Sequence, residues 1–88
     1  MTPVADNIEA DLRRQLAPDS ITLRDDSHHH AGHAGAREGG HFHVRIVAGC
    51  FAGRSRVARH RLVYDALGPL APRGIHALAI EALAPGEG

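Results

Sequence analysis

The chain has no tryptophan and no lysine, and its 88 residues include only one cysteine, one methionine, one tyrosine and two phenylalanines. With Cys50 alone, an intrachain disulfide is excluded, and with it the cross-linked framework of small secreted domains. So few rings leave the core to Ala, Val, Leu and Ile, which favours a thin helix-on-sheet layer over a deep, enclosed substrate cavity. No run approaches the ~18 apolar residues of a membrane span. The opening MTPVADNIEADLRR is too charged for a secretory leader, so a soluble, cytoplasmic, membrane-free protein is expected. Ten arginines balance ten acids, and zero net charge argues against a general polyanion binder, although charge can still be segregated locally. Neither a Ser–His–Asp order, nor a paired-carboxylate motif, nor a phosphate-binding glycine signature stands out, so no enzyme is expected.

What is present organises into a single domain over residues 1–88. Thr2-Pro3 reads as a helix start, with proline at the first helical position. Val4, Ile8, Leu12 and Leu16 then recur every four residues as one apolar stripe, and Ala17-Pro18 stops the helix. Ser20–Arg24 alternates as a first strand. His41–Ala48 alternates more clearly, with Phe42, Val44, Ile46 and Ala48 on one face and His41, His43 and Arg45 on the other. Two such neighbours are expected to pair antiparallel around a long loop, residues 27–40. After the GCFAG turn the spacing predicts a helix over Arg54–Leu70, with Ala58, Leu62, Ala66 and Leu70 in one row and Val63 and Leu67 beside it. Gly68-Pro69 breaks or kinks it near its end. Ile75–Leu83 is placed as a third strand by its position, since its alanines leave the pattern ambiguous, and 84–88 is a loose tail. The expected fold is an α+β sandwich in the order α-β-β-α-β, with both helices on one face of a three-stranded sheet.

Six of eight histidines lie in SHHHAGHAGAREGGHFH, and the internal position of this run rules out a terminal tag. Clustered imidazoles are a legitimate metal signal. The glycines around His28, His30 and His33 nevertheless cannot hold rigid geometry unaided, and no CxxC pair accompanies them, so a solvated loop is the stronger reading of this run by itself. His60, four residues before Tyr64, reads as a helix residue packed beneath that ring. His76 shares the parity of Leu78 and Ile80. It is either hydrogen-bonded at the edge of the core or a ligand at the rim of the helix–sheet groove. Cys50 reads as a small buried residue rather than a nucleophile. Arg54, Arg56, Arg59 and Arg61 form a basic row before the first acid of their helix, either a solvated face or a nucleic-acid surface.

Four motifs in order then carry a resemblance: His41-Phe42, Phe51-Ala52-Gly53, Arg59-His60-Arg61-Leu62-Val63-Tyr64 and His76-Ala77-Leu78. Together they resemble the BolA family over almost the whole chain. The loop is also similar to bacterial members that read Ser-His-x-His-Ala-Gly-His. That resemblance implies a type-II KH-like fold. It further implies a monothiol glutaredoxin partner and a bridging [2Fe–2S] cluster, with thiolates from the glutaredoxin and from glutathione and imidazole from this chain. His76 matches the family's C-terminal ligand; the loop ligand falls on His30, with His33 and His28 as alternatives. His41 and His43 belong to a strand and are left out of that set. The resemblance also carries a second role, DNA-binding transcriptional regulation through Arg54, Arg56, Arg59 and Arg61, and leaves room for a weak homodimer. Where many members continue past the last strand with a Thr-Pro-x-x-Trp-like helix, this sequence reads LAPGEG.

Overall fold

A computed structural model of the protein describes residues 3–26 and 40–87. Helix α1 runs from Pro3 to Leu16. Ala5, Ile8 and Leu12 are fully buried along it, with Val4 and Leu16 packed beside them. Burying side chains such as Ile8 and Leu12 is worth about 1.5–3 kcal/mol each. The outer face carries a Glu9–Arg13 ion pair at 3.0 Å, one turn apart. The helix ends at Ala17, which takes a left-handed φ of 46° and donates its N–H to the Arg13 carbonyl at 3.1 Å, before Pro18 turns the chain away.

Strand β1 (Ser20–Asp25) pairs antiparallel with β2 (Gly40–Val47), setting Ile21 against Ile46 and Leu23 against Val44 on the core side. A single 3-10 turn, Gly49–Phe51, follows and buries Phe51 completely. Ser55 then caps helix α2 (Arg56–Leu67), its hydroxyl accepting the Ala58 N–H at 3.1 Å. This helix is shorter at both ends than the sequence spacing predicts. Arg54 precedes the cap, and Gly68 closes the helix with φ 70° and ψ −161°, a conformation essentially confined to glycine. Val63 and Leu67 supply its buried stripe, whereas Ala58, Leu62, Ala66 and Leu70 are half-buried flanks.

A second 3-10 turn, Ala71–Arg73, leads into β3 (Ile75–Leu83), which lies parallel to β2. The order in the sheet is β1-β2-β3, so β2 is central and β3 is an outer strand. A parallel neighbour requires a crossover, and α2 supplies it. Phe42, Val44 and Ile46 of β2, with Ala48 just after it, meet both helices in one core, while His41, His43 and Arg45 occupy the opposite face. The result is the α-β-β-α-β arrangement of two helices on one mixed three-stranded sheet. Arg73 ties the layers together: its guanidinium donates to the carbonyl of Leu67 at the end of α2 and pairs with Asp11 on α1. Hydrogen bonding from Arg73, ahead of that from Arg14, holds the Asp11 carboxyl below its ordinary range.

Candidate functional site

Chemistry-bearing side chains collect at two places, one at each end of β3. At its start the parallel ladder with β2 shifts. Gly40 is paired with Ile75, and the next partners are His41 and Ala77, so His76 is an extra residue in the strand. Ile75 therefore faces the core, Leu78 resumes the inward positions, and His76 is exposed although its number has the parity of Leu78 and Ile80. Simple alternation misplaces it: His76 lies neither at the edge of the core nor in the helix–sheet groove. Instead its ring stands 5.0 Å from that of half-buried His41, centroid to centroid, at a tilt of 43°.

His41 is the residue that sequence reasoning set aside. Its position in a strand excluded it only so long as its cross-strand neighbour was unknown, and the parallel register makes that neighbour the start of β3. The ends of the long loop are fixed at this same corner. Asp26 donates its N–H to the His41 carbonyl at 2.7 Å, and Gly40 donates to the carbonyl of Gly74 at 2.8 Å. His28, His30 and His33 themselves lie outside the described residues. Among the described residues, no three His, Cys, Asp or Glu side chains gather closely enough to hold a metal ion. Cys50 lies far from His41 and His76. It follows the far end of β2, eight residues along the strand, a distance of roughly 25 Å at about 3.3 Å per residue. It is also exposed rather than buried, because Phe51 takes the core position of that turn.

At the other end of β3 a groove of about 510 Å³ opens against the start of α2, lined by Arg54, Arg56, Arg59, His60 and residues Ile80–Leu83. The sequence-predicted basic row does not form one face. Arg54, Arg56 and Arg59 line this groove, while Arg61 belongs to a separate apolar surface with Val57 and Tyr64. Half-buried His60 borders both, beside a Tyr64 that is itself 41% exposed, so it is only partly covered by that ring. Arg59 is bound on every side. It donates to the Arg54 carbonyl at 2.9 Å, to the Ala82 carbonyl at 3.1 Å, and to both carboxylate oxygens of Glu87 at 2.5 and 2.9 Å. Glu87 also accepts the Ala84 N–H at 2.9 Å. The Arg59 guanidinium, reinforced by that N–H, holds the Glu87 carboxyl down to about 2. The residues after β3 are thus folded back onto α2 by a specific contact, not left as a loose tail.

The described residues contain no helix long and apolar enough to cross a membrane. The family profile described as BolA-like protein matches residues 12–87. A Sinorhizobium sp. protein described as "Uncharacterized protein in cobS 5'region" is 44% identical over 87 residues, covering 96% of this chain and 94% of that one. The mouse protein BolA-like protein 1 is 41% identical over 85 residues; the match takes in 97% of this chain but 61% of the mouse protein. Among solved structures, the BolA domain of SufE1 from Arabidopsis thaliana superposes with a TM-score of 0.85 at 41% identity, covering 100% of this chain and 99% of that domain.

Proposed function

Since the chain belongs to the BolA-like family, we propose that it acts as an iron–sulfur cluster assembly or trafficking factor and not as an enzyme. In this reading it binds a monothiol glutaredoxin and helps hold a shared [2Fe–2S] cluster, its cargo, through imidazole. The observation that carries the proposal is the exposed corner where His76 and His41 stand 5.0 Å apart, with both anchors of the histidine-rich loop hydrogen-bonded beside them. Imidazole is a suitable donor to iron, and exposure on an outer strand leaves His76 accessible to a partner's cluster. A chain whose only cysteine is a strand length away needs thiolates from elsewhere, which a glutaredoxin and glutathione would provide. His76 is the proposed ligand, and His30, with His33 and His28 as alternatives, the proposed second donor. The ring of His41 packs beside that of His76.

The test is to combine the protein with a monothiol glutaredoxin, glutathione, ferrous iron and sulfide, and to record visible circular dichroism. The expected result is a heterodimer spectrum distinct from that of the glutaredoxin alone, abolished in His76→Ala and weakened by one of the single alanine variants at His28, His30 or His33. A heterodimer spectrum that survives His76→Ala unchanged removes the ligand assignment. The nucleic-acid reading is less well supported, because the four arginines do not form one face: Arg61 belongs to a separate apolar surface and not to the groove.

A further inference from the structure

The groove at the far end of β3 has the parts of a peptide site. β3 is the outer strand of the sheet. The Leu83 carbonyl accepts the Ala48 N–H at 3.0 Å and so faces the sheet interior. By the alternation of a strand, the backbone groups of Ile80 and Ala82 then face outward into the groove. The 3.1 Å bond from Arg59 to the Ala82 carbonyl agrees with that direction. The Ala82 carbonyl is thus held by Arg59, whereas the outward groups of Ile80 have no partner among the described residues; open edge groups of this kind are the template on which an extended chain adds as a further strand.

Charge selects what kind of chain. Arg54, Arg56 and Arg59 line the groove, and exposed Arg56 makes no ion pair among the described residues. Of the two carboxylates nearby, Glu81 is directed at Arg45 on the outer face of the sheet, 3.6 Å away. The other, Glu87, is a bidentate ligand of the groove residue Arg59, the geometry in which a guanidinium recognises a carboxylate best. On that arginine Glu87 stands as an internal substitute for an external acid.

We propose that this groove docks an extended acidic peptide, which adds as a strand beside the Ile80–Leu83 edge, places carboxylates on Arg54, Arg56 and Arg59, and displaces Glu87. The surface lies at the opposite end of β3 from His76, about 20 Å away at the strand rise, so the proposal is independent of the cluster-binding reading. A phosphate backbone would use the arginines but not the strand edge, and Tyr64, the aromatic ring nearest to serving as a base-stacking platform, lies outside the groove.

A short fluorescent peptide of alternating glutamate and valine, followed by polarisation at low salt, tests this directly. The wild-type chain should bind it. N-methylation of alternate peptide nitrogens should abolish binding, and exchanging glutamate for lysine should do the same. Glu87→Gln should tighten binding roughly two- to fivefold, the scale of releasing an exposed carboxylate–guanidinium pair. Glu81→Gln, which removes the same charge without vacating Arg59, should change it less. The proposal is overturned if the N-methylated peptide binds equally well, or if Glu81→Gln matches Glu87→Gln. It is also overturned if a single-stranded oligonucleotide binds the groove while the acidic peptide does not.

Discussion

Glu87 gives the protein a carboxylate whose protonation can be followed independently of the rest. Its carboxyl is held down to about 2, against an ordinary 4.5, first by hydrogen bonding from Arg59 and then by the Ala84 N–H. A depressed carboxyl favours the closed tail at every pH above its unfolded value, and that contribution fades as pH falls from about 4.5 through about 2. An NMR titration of the Glu87 side-chain carbon should therefore show a midpoint near 2. The Arg59→Gln variant should bring it back toward 4.5, and an unshifted midpoint in wild type would dissolve the contact. At this scale sequence reading singles out His76 by its motif but misplaces it, and it cannot reach what a residue owes to its neighbour. Nothing in HFHVRIVA distinguishes His41 from His43; only the register against β3 does. In the same way, Glu87 becomes informative only once Arg59 is placed across from it.

Elements were legible in proportion to the regularity of their apolar spacing. In α1 the four-residue recurrence of Val4, Ile8, Leu12 and Leu16 follows a single stripe, and the structure buries that stripe. β2 alternates from His41 to Ile46 and is buried as alternation requires, with Val47 as an apolar residue on the outer face. β3 was assigned correctly as a strand, but the extra residue at His76 shifted its facing, and such a shift leaves no trace in a run of alanines. The ends of α2 depended on cap chemistry rather than periodicity: the apolar row runs on to Leu70, yet Ser55 and Gly68 set the limits. Those ends yield two predictions. Gly68→Ala should lower stability by about 1–3 kcal/mol, since alanine is strained at this φ and ψ. Ala17→Gly should raise it by about 0.5 kcal/mol, because relief of roughly 1–2 kcal/mol of left-handed strain exceeds the ~0.4–1 kcal/mol of added unfolded-state freedom. Urea midpoints at constant slope check both.

For the whole molecule, the thin core expected from composition is what the structure contains, and Phe51 is its largest fully buried side chain. Phe51→Ala should cost about 3–5 kcal/mol, a large share of the ~5–15 kcal/mol available to a domain. A sharply lower urea midpoint by far-UV circular dichroism is the expected outcome. The parallel β2–β3 pair has a consequence in time as well as in space. During synthesis the β1–β2 hairpin can close as soon as residue 47 has emerged, and the loop histidines exist from that moment. His41 gains His76 as its neighbour only after α2 has been made, crossed over and docked, since parallel pairing is non-local and forms late. The histidine corner is thus a marker of completed folding: a nascent or partly unfolded chain carries both histidines but not the pair.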